Sequence, residues 1–323
     1  MTGLRIPRTD HRFSFAADAE PYARVRPGGR VVVETLDCFS NKITSESQVF
    51  ERESDLLDLI GAFNPVSAPL YVEGARPGDM LAVHIEDIQV GTVEPYAVTV
   101  VTGDRGSVCG RQSHVVGGRA RTAVCAIEDG EVRLATGRGT ARLPVRPMVG
   151  TIGTAPAAGE HISLVFDPGH CGNVDCPQVT VGATVLLPVN VPGGLVSLGD
   201  VHALMGDAEV TGMALETHAD VTVRVDLLPA GSVTGPAVPR LDDADHIGSL
   251  GCRFGDSVDG NLHAAFEDLL RRLGEEYRLA PDEAFVLLGS MAEVTVNQCV
   301  GGGWTATYVR VPRAALPGGR YWH

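Results

Sequence analysis

Apolar positions along this chain gather into short β-branched runs separated by glycine and proline. Arg30-Val31-Val32-Val33-Glu34-Thr35, Met80-Leu81-Ala82-Val83-His84-Ile85, Ala97-Val98-Thr99-Val100-Val101 and Val221-Thr222-Val223-Arg224-Val225 each predict a strand, because such side chains fit a pleated, half-buried surface. A recurring phrase feeds runs of this kind: Arg26-Pro27-Gly28-Gly29, Arg76-Pro77-Gly78-Asp79 and Val191-Pro192-Gly193-Gly194. Proline sets φ at the second position of a turn, and glycine supplies the positive φ that a type II turn needs next. The phrase is too short to be the period of a solenoid. Helical spacing is confined to the last third, where Leu262, Phe266, Leu269, Leu270 and Leu273 form a stripe that predicts a helix over 261–273. Ala280-Pro281-Asp282-Glu283 reads as a second helix start, with proline and acids in the first turn, and that helix stops at Gly289. A strand over 293–297 follows. The expected fold is mainly β, with sandwich- or jelly-roll-like and barrel-like subdomains and a small α/β C-terminal part. Two intertwined subdomains are expected, 1–160 and 161–323, since no linker is long enough to separate independent domains. Segment 103–139 is rich in turn residues and reads as a mobile flap or a hairpin region.

A chain of 323 residues can bury a large core. No window approaches the ~18 uninterrupted apolar residues of a membrane helix, so no membrane partner is expected. Residues 1–15 carry Arg5, Arg8, Asp10 and Arg12 with no apolar run behind them, so the expected address is the cytoplasm rather than a secretory route. A net charge of −14 argues against nucleic acid as a partner, because phosphate binding requires a basic surface. Seven cysteines without a Cys-x-x-Cys pair predict reduced thiols. His170, Cys171 and Cys176 would make an incomplete zinc site, lacking a fourth ligand, and buried thiols are the plainer expectation. Lys42 is the one lysine, and no Gly-x-Ser-x-Gly elbow is present. Amide hydrolases built on a lysine-centred constellation or a serine elbow therefore lack their parts.

The segment Gly199-Asp200-Val201-His202-Ala203-Leu204-Met205-Gly206-Asp207-Ala208-Glu209, with Glu216 beyond it, stands out chemically. Asp200, His202, Asp207, Glu209 and Glu216 fall within 17 residues. Strand spacing would put Asp200 and His202 on one face, and Asp207 and Glu209 likewise. Aspartate plus histidine suits a borderline cation such as zinc, and a second carboxylate pair could orient water or bind a harder ion. A Gly-Asp turn and a solvated strand face are the plain alternative. Against it, Leu204, Met205, Val210 and Leu215 surround charges that are costly to bury unless paired or metal-bound.

Several phrases in order carry a resemblance: Asn64-Pro65 with Leu70-Tyr71-Val72-Glu73-Gly74-Ala75-Arg76-Pro77-Gly78-Asp79; Gly150-Thr151-Ile152-Gly153-Thr154-Ala155-Pro156; Gly172-Asn173-Val174-Asp175; and the segment from Gly199 to Glu216. Together they resemble the acetamidase/formamidase family of small-amide hydrolases over nearly the whole chain. The resemblance implies hydrolysis of formamide, acetamide or related short linear amides to acid and ammonia, in a homo-oligomer of two or more subunits. It also implies a divalent metal near the Gly-Asp-x-His segment, zinc first and calcium as the alternative. The matching positions are Asp37, Asn173, Asp175, Asp200, His202, Asp207, Glu209 and Glu216. Without a Ser, Cys or Lys nucleophile, amide hydrolysis needs activated water and a polarised carbonyl, which a metal provides. On this resemblance Asp175, Asp200 and His202 hold the metal, with Asp37 and Glu216 joining the metal group. Glu209 shuttles the proton, Asp207 supports it or holds a second ion, and Asn173 donates to the oxyanion.

Three departures from the family bear on substrate choice. Ala208 stands where the family more often has glycine, the His170-Cys171 step replaces small residues, and Asn297-Gln298-Cys299-Val300-Gly301-Gly302-Gly303-Trp304 replaces a shorter phrase containing proline. Trp304 would line a pocket or sit in a surface loop, and an amide larger or more polar than acetamide fits the pattern. Two other functions are weighed: an inactive family member serving as a small-molecule binding module, and a hydrolase using Cys171 or Cys299 with His170 or His202. Acidic surroundings argue against a reactive thiolate.

Overall fold

The structure is a computed structural model that describes residues 3–104, 119–232, 235 and 238–317. The expected strands form at Gly29–Glu34, Met80–Val90, Tyr96–Val101 and Ala219–Leu228. Along the last of these, Ala219, Val221, Val223 and Val225 are buried while Asp220, Thr222, Arg224 and Asp226 are half-buried, the alternation a strand imposes. The Pro-Gly phrases close as type II turns. Gly28, Gly78 and Gly193 have φ of 82°, 95° and 80°. The N–H of Gly29, Asp79 and Gly194 donates to the carbonyl of Arg26, Arg76 and Val191 at 2.8, 3.0 and 3.0 Å. Residues 105–118 of the expected flap lie outside the described residues. The remainder forms antiparallel strands at Arg121–Glu128, Glu131–Thr136 and Gly139–Pro144, a hairpin region.

The strands form a nine-stranded and an eleven-stranded sheet. The first runs in space from Leu4–Ile6 through Gly29–Glu34, Ala219–Leu228, Met80–Val90, Thr184–Pro188, Arg240–Asp242, His246–Gly251 and Trp304–Pro312 to Glu293–Gly301. The second places Tyr96–Val101, Leu215–Thr217, Ser197–Leu204, Met148–Gly153 and Cys171–Asn173 side by side. Each sheet interleaves strands from both sides of residue 160. Val83, Ile85, Val221, Val223 and Tyr308 of the first sheet meet Val149, Ile152, Leu198 and Val201 of the second in one core, which makes a β-sandwich.

Helices Val258–Tyr277 and Pro281–Met291 cover part of the nine-stranded sheet, where Leu269, Leu273 and Leu288 pack on Ile247, Val309 and Val311. Buried arginines pin the longer helix there: Arg272 reaches both oxygens of Asp242 at 2.6 Å, and Arg240 Nε donates to Asp268 at 2.8 Å. The expectation that helix is confined to the last third needs one correction. Glu53–Ile60 is also helical and buries Leu56 and Ile60 beside Phe39 and Phe63. Two turns with four apolar residues are too short for a periodicity to show. Among the described residues no helix is long and apolar enough to cross a membrane.

Candidate metal and catalytic site

The site lies on the eleven-stranded sheet, where the alternation of its central strand breaks. Leu198 and Val201, three residues apart, both face the sandwich core. The odd residue is absorbed at Gly199–Asp200, with Asp200 at a φ of 56°. Asp175 is also left-handed, at 37°, a conformation that aspartate tolerates better than most side chains. Facing both is Gly150, where a Cβ would sit 2.4 Å from Asp175 Oδ1 and 2.7 Å from Asp200 Oδ2. Glycine here leaves the space the two carboxylates occupy.

His202 stands at the centre. Its Nε2 lies 3.2 Å from Glu216 Oε2, 3.5 Å from Asp200 Oδ1 and 3.7 Å from Asp175 Oδ1. Glu216 is opposite His202 on the neighbouring strand, so cross-strand pairing delivers the two side chains to one face. Uncharged groups fix the carboxylates. Asp200 Oδ2 accepts from Asn64 Nδ2 at 2.7 Å, Asp175 Oδ2 accepts from Gln298, and Glu216 Oε1 accepts from the N–H of Ala214 at 2.8 Å. A cavity open to solvent is lined by Asp175, Asp200, His202, Glu216, Asn64 and Gln298 together with Cys38, Phe63, Leu164, Asn173, Glu209, Met213, Val300 and Trp304.

Burial and crowding dominate the electrostatics. Asp175 and Glu216 are held well above the ordinary carboxylate range, first by burial and then by neighbouring carboxylates. Burial pulls His202 down, but Asp200, Asp175 and Glu209 outweigh it and push the imidazole up to about 9. Asp175 Oδ1 and Glu216 Oε2 are buried and complete no hydrogen bond among the described residues. Ligand atoms of Asp175, Asp200 and His202, of His202, Glu209 and Glu216, and of Cys38, Asp200 and Glu216 lie within 4.8 Å of one another in each group. Orphaned carboxyl oxygens beside an imidazole fit a divalent cation, which would hold them ionised.

Of the residues expected at the site, Asn173, Asp175, Asp200, His202, Glu209 and Glu216 line the cavity. Two do not. Asp37 is buried behind the cavity wall, where its Oδ1 accepts from the N–H of Phe39 at 2.9 Å and of Asn41 at 2.7 Å; it shapes the turn that presents Cys38. Asp207 is exposed. Asp207–Glu209 is a 3₁₀ turn rather than a strand, with φ of 71° at Ala208 and 46° at Glu209, so the two carboxylates point apart and only Glu209 is buried.

Asn64, Thr151, Gln298 and Cys38 were not singled out, because uncharged side chains carry no signal of chemistry in their spacing. Asn64 and Thr151 do occur within the family phrases. Trp304 takes the pocket position of its two expected alternatives, its Nε1 donating to the carbonyl of Leu164 at 3.2 Å. The cysteine readings do not assemble. Cys171 and Cys176 lie in the sandwich core, while His170 Nε2 sits 2.7 Å from His161 Nδ1. Cys299 does not line the cavity, and Cys38, which does, is held as a thiol by burial and the carboxylates around it. Cys109 lies outside the described residues.

The sequence model of the Acetamidase/Formamidase family matches residues 9–164 and 165–263. The crystal structure of an acetamidase from Bacillus halodurans is similar with a TM-score of 0.84 and 31% identity, covering 96% of this chain and 98% of that one. An acetamidase of Mycolicibacterium smegmatis is 27% identical over 67% of this chain and 66% of its own length. A formamidase of Methylophilus methylotrophus is 24% identical over 66% of this chain and 63% of its own length. The chain therefore spans just under two thirds of the length of these curated relatives.

Proposed function

Since the chain belongs to the acetamidase/formamidase family, we propose that it hydrolyses a small linear carboxamide to a carboxylic acid and ammonia, using a divalent cation held by Asp175, Asp200, His202 and Glu216. The observation that carries this reading is the buried carboxylate cluster around His202, with oxygens of Asp175 and Glu216 that complete no hydrogen bond among the described residues. Zinc is the first choice, since an imidazole stands among the oxygens, and calcium is the second. A cation bound there supplies the charge that polarises the amide carbonyl and acidifies a water.

The protein groups do the rest. Glu209 takes the proton of the attacking water and returns it to the departing nitrogen, so that hydroxyl joins the carbonyl carbon and hydrogen joins the ammonia. Asn173 Oδ1 is engaged by Asn64 at 3.0 Å and Thr151 at 2.8 Å, which leaves its amide N–H groups to donate to the oxygen that gains charge. Phe63, Leu164, Met213, Val300 and Trp304 offer an apolar wall to the acyl group, and the carboxylates repel acidic amides.

Ammonia release from formamide, acetamide and propionamide tests this reading on protein stripped with chelator and then resupplied with zinc, calcium or manganese. Activity is expected to vanish on stripping and to return with zinc; activity indifferent to chelation overturns the metal mechanism. Glu209→Gln is expected to lower kcat by roughly 10²–10⁴ while the melting temperature holds. Undiminished turnover would remove Glu209 from the proton path.

A further inference from the structure

We infer that Gln298 reads the substrate nitrogen: its Oε1 accepts an N–H of the carboxamide and so selects primary amides over the matching esters. The inference rests on the amidase reading above and adds to it a specificity-determining residue. Gln298 lies beside a bulge in the strand Glu293–Gly301, where Val296 pairs with Thr307 but Gln298 pairs with Ala306. A bulge of this kind re-aims side chains, and Gln298 reaches the cavity from the other sheet while remaining 1% exposed.

The orientation of its amide is fixed by chemistry. Nε2 donates to Asp175 Oδ2, whereas the reversed amide would set its oxygen against a carboxylate that the proposed cation keeps ionised. Oε1 is therefore the free end, and it is buried with no hydrogen-bond donor among the described residues. A buried carbonyl oxygen left without a donor is destabilising, and this one belongs to a side chain of the cavity wall. A primary amide brings what is missing. Its carbonyl oxygen turns toward Asn173 and its nitrogen presents two N–H groups, which need an acceptor. The nitrogen remains a donor after the C–N bond breaks and it has taken up its proton, so the contact persists to ammonia. An ester of the same acyl group has no donor to offer and leaves Oε1 unpaired. Sites built around such a hydrogen bond reject the analogue that lacks it.

The test compares propionamide with methyl propionate in the wild type, Gln298→Met and Gln298→Leu, with thermal melts to verify folding. Where the ester is not turned over, its inhibition constant replaces its kcat/KM. The amide-to-ester ratio is expected to fall roughly tenfold in either folded variant. If Gln298 only props Asp175, both substrates suffer alike and the ratio stays put, which overturns the inference while the amidase reading stands. A wild type that releases ammonia from no carboxamide overturns both.

Discussion

Ala208 has φ of 71° and ψ of −4°, a region where a Cβ crowds the following carbonyl. Together with Glu209 at 46° it makes the pivot that turns Asp207 out to solvent and Glu209 into the cavity. Ala208→Gly relieves the crowding at the cost of a more flexible unfolded chain, for a net gain of about 0.5–1 kcal/mol in unfolding free energy. Denaturant melts check this, and a variant less stable than the wild type would show that the alanine is not strained. Glycine at this position in the resembling family is visible in the sequence, but its meaning is not. Spacing arguments assume a strand, and a left-handed residue cancels the assumption without changing any charge. The same limit explains Asp37. A carboxylate that caps a turn and one that binds a metal read alike along the chain, because only the direction of the neighbouring N–H groups tells them apart.

At the scale of elements, the critical contact is between Met148–Gly153 and Ser197–Leu204, which pair antiparallel across the site. Gly150→Ala would set a methyl 2.4 Å from Asp175 Oδ1, 2.7 Å from Asp200 Oδ2 and 2.8 Å from the Asp200 backbone oxygen. Side chains can swing away, but the backbone oxygen can yield only if the strands part. The expected result is at least a tenfold loss of amidase activity, together with a smaller drop in melting temperature on chelation than the wild type shows. An alanine variant that keeps both would mean that the carboxylates do not need this space. Element identity was largely legible in the sequence, since β-branched runs and Pro-Gly turns are local signals. Pairing was not. Glu216 meets Val98 as its cross-strand neighbour, and Gln298 approaches Asp175 from the far sheet; such meetings depend on sheet order, which no local pattern encodes. Asp200, His202 and Glu216 could be named because burying them demands a reason, and Asp175 through the family phrase that holds it, whereas Asn64, Thr151 and Gln298 make no such demand.

Across the whole molecule, stability should respond to acid through two imidazoles that the proposed reaction does not use. His218 Nε2 accepts the N–H groups of Val93 and Glu94, each at 3.1 Å, so its proton resides on Nδ1. Burial and then Arg8 lower it from 6.5 to about 4. His170 is likewise lowered to about 4, by burial and then by His161. The unfolded chain binds these two protons near pH 6.5 and the folded chain does not. Their contribution is thus complete above 6.5 and lost as pH falls toward 4. Asp37 works in the opposite sense. Burial raises it from 3.8 to about 6, so its protonated form favours the fold in acid and that contribution is lost as pH rises through this window. The wild-type curve is a sum of opposing slopes and isolates neither. The difference between wild type and His218→Gln does isolate one, because glutamine can accept from the same turn and does not titrate. Unfolding free energies measured from pH 7 to 4 are expected to show the variant taking up one proton fewer on unfolding. Equal proton uptake in the two proteins would show that His218 protonates in the folded state as readily as in the unfolded one.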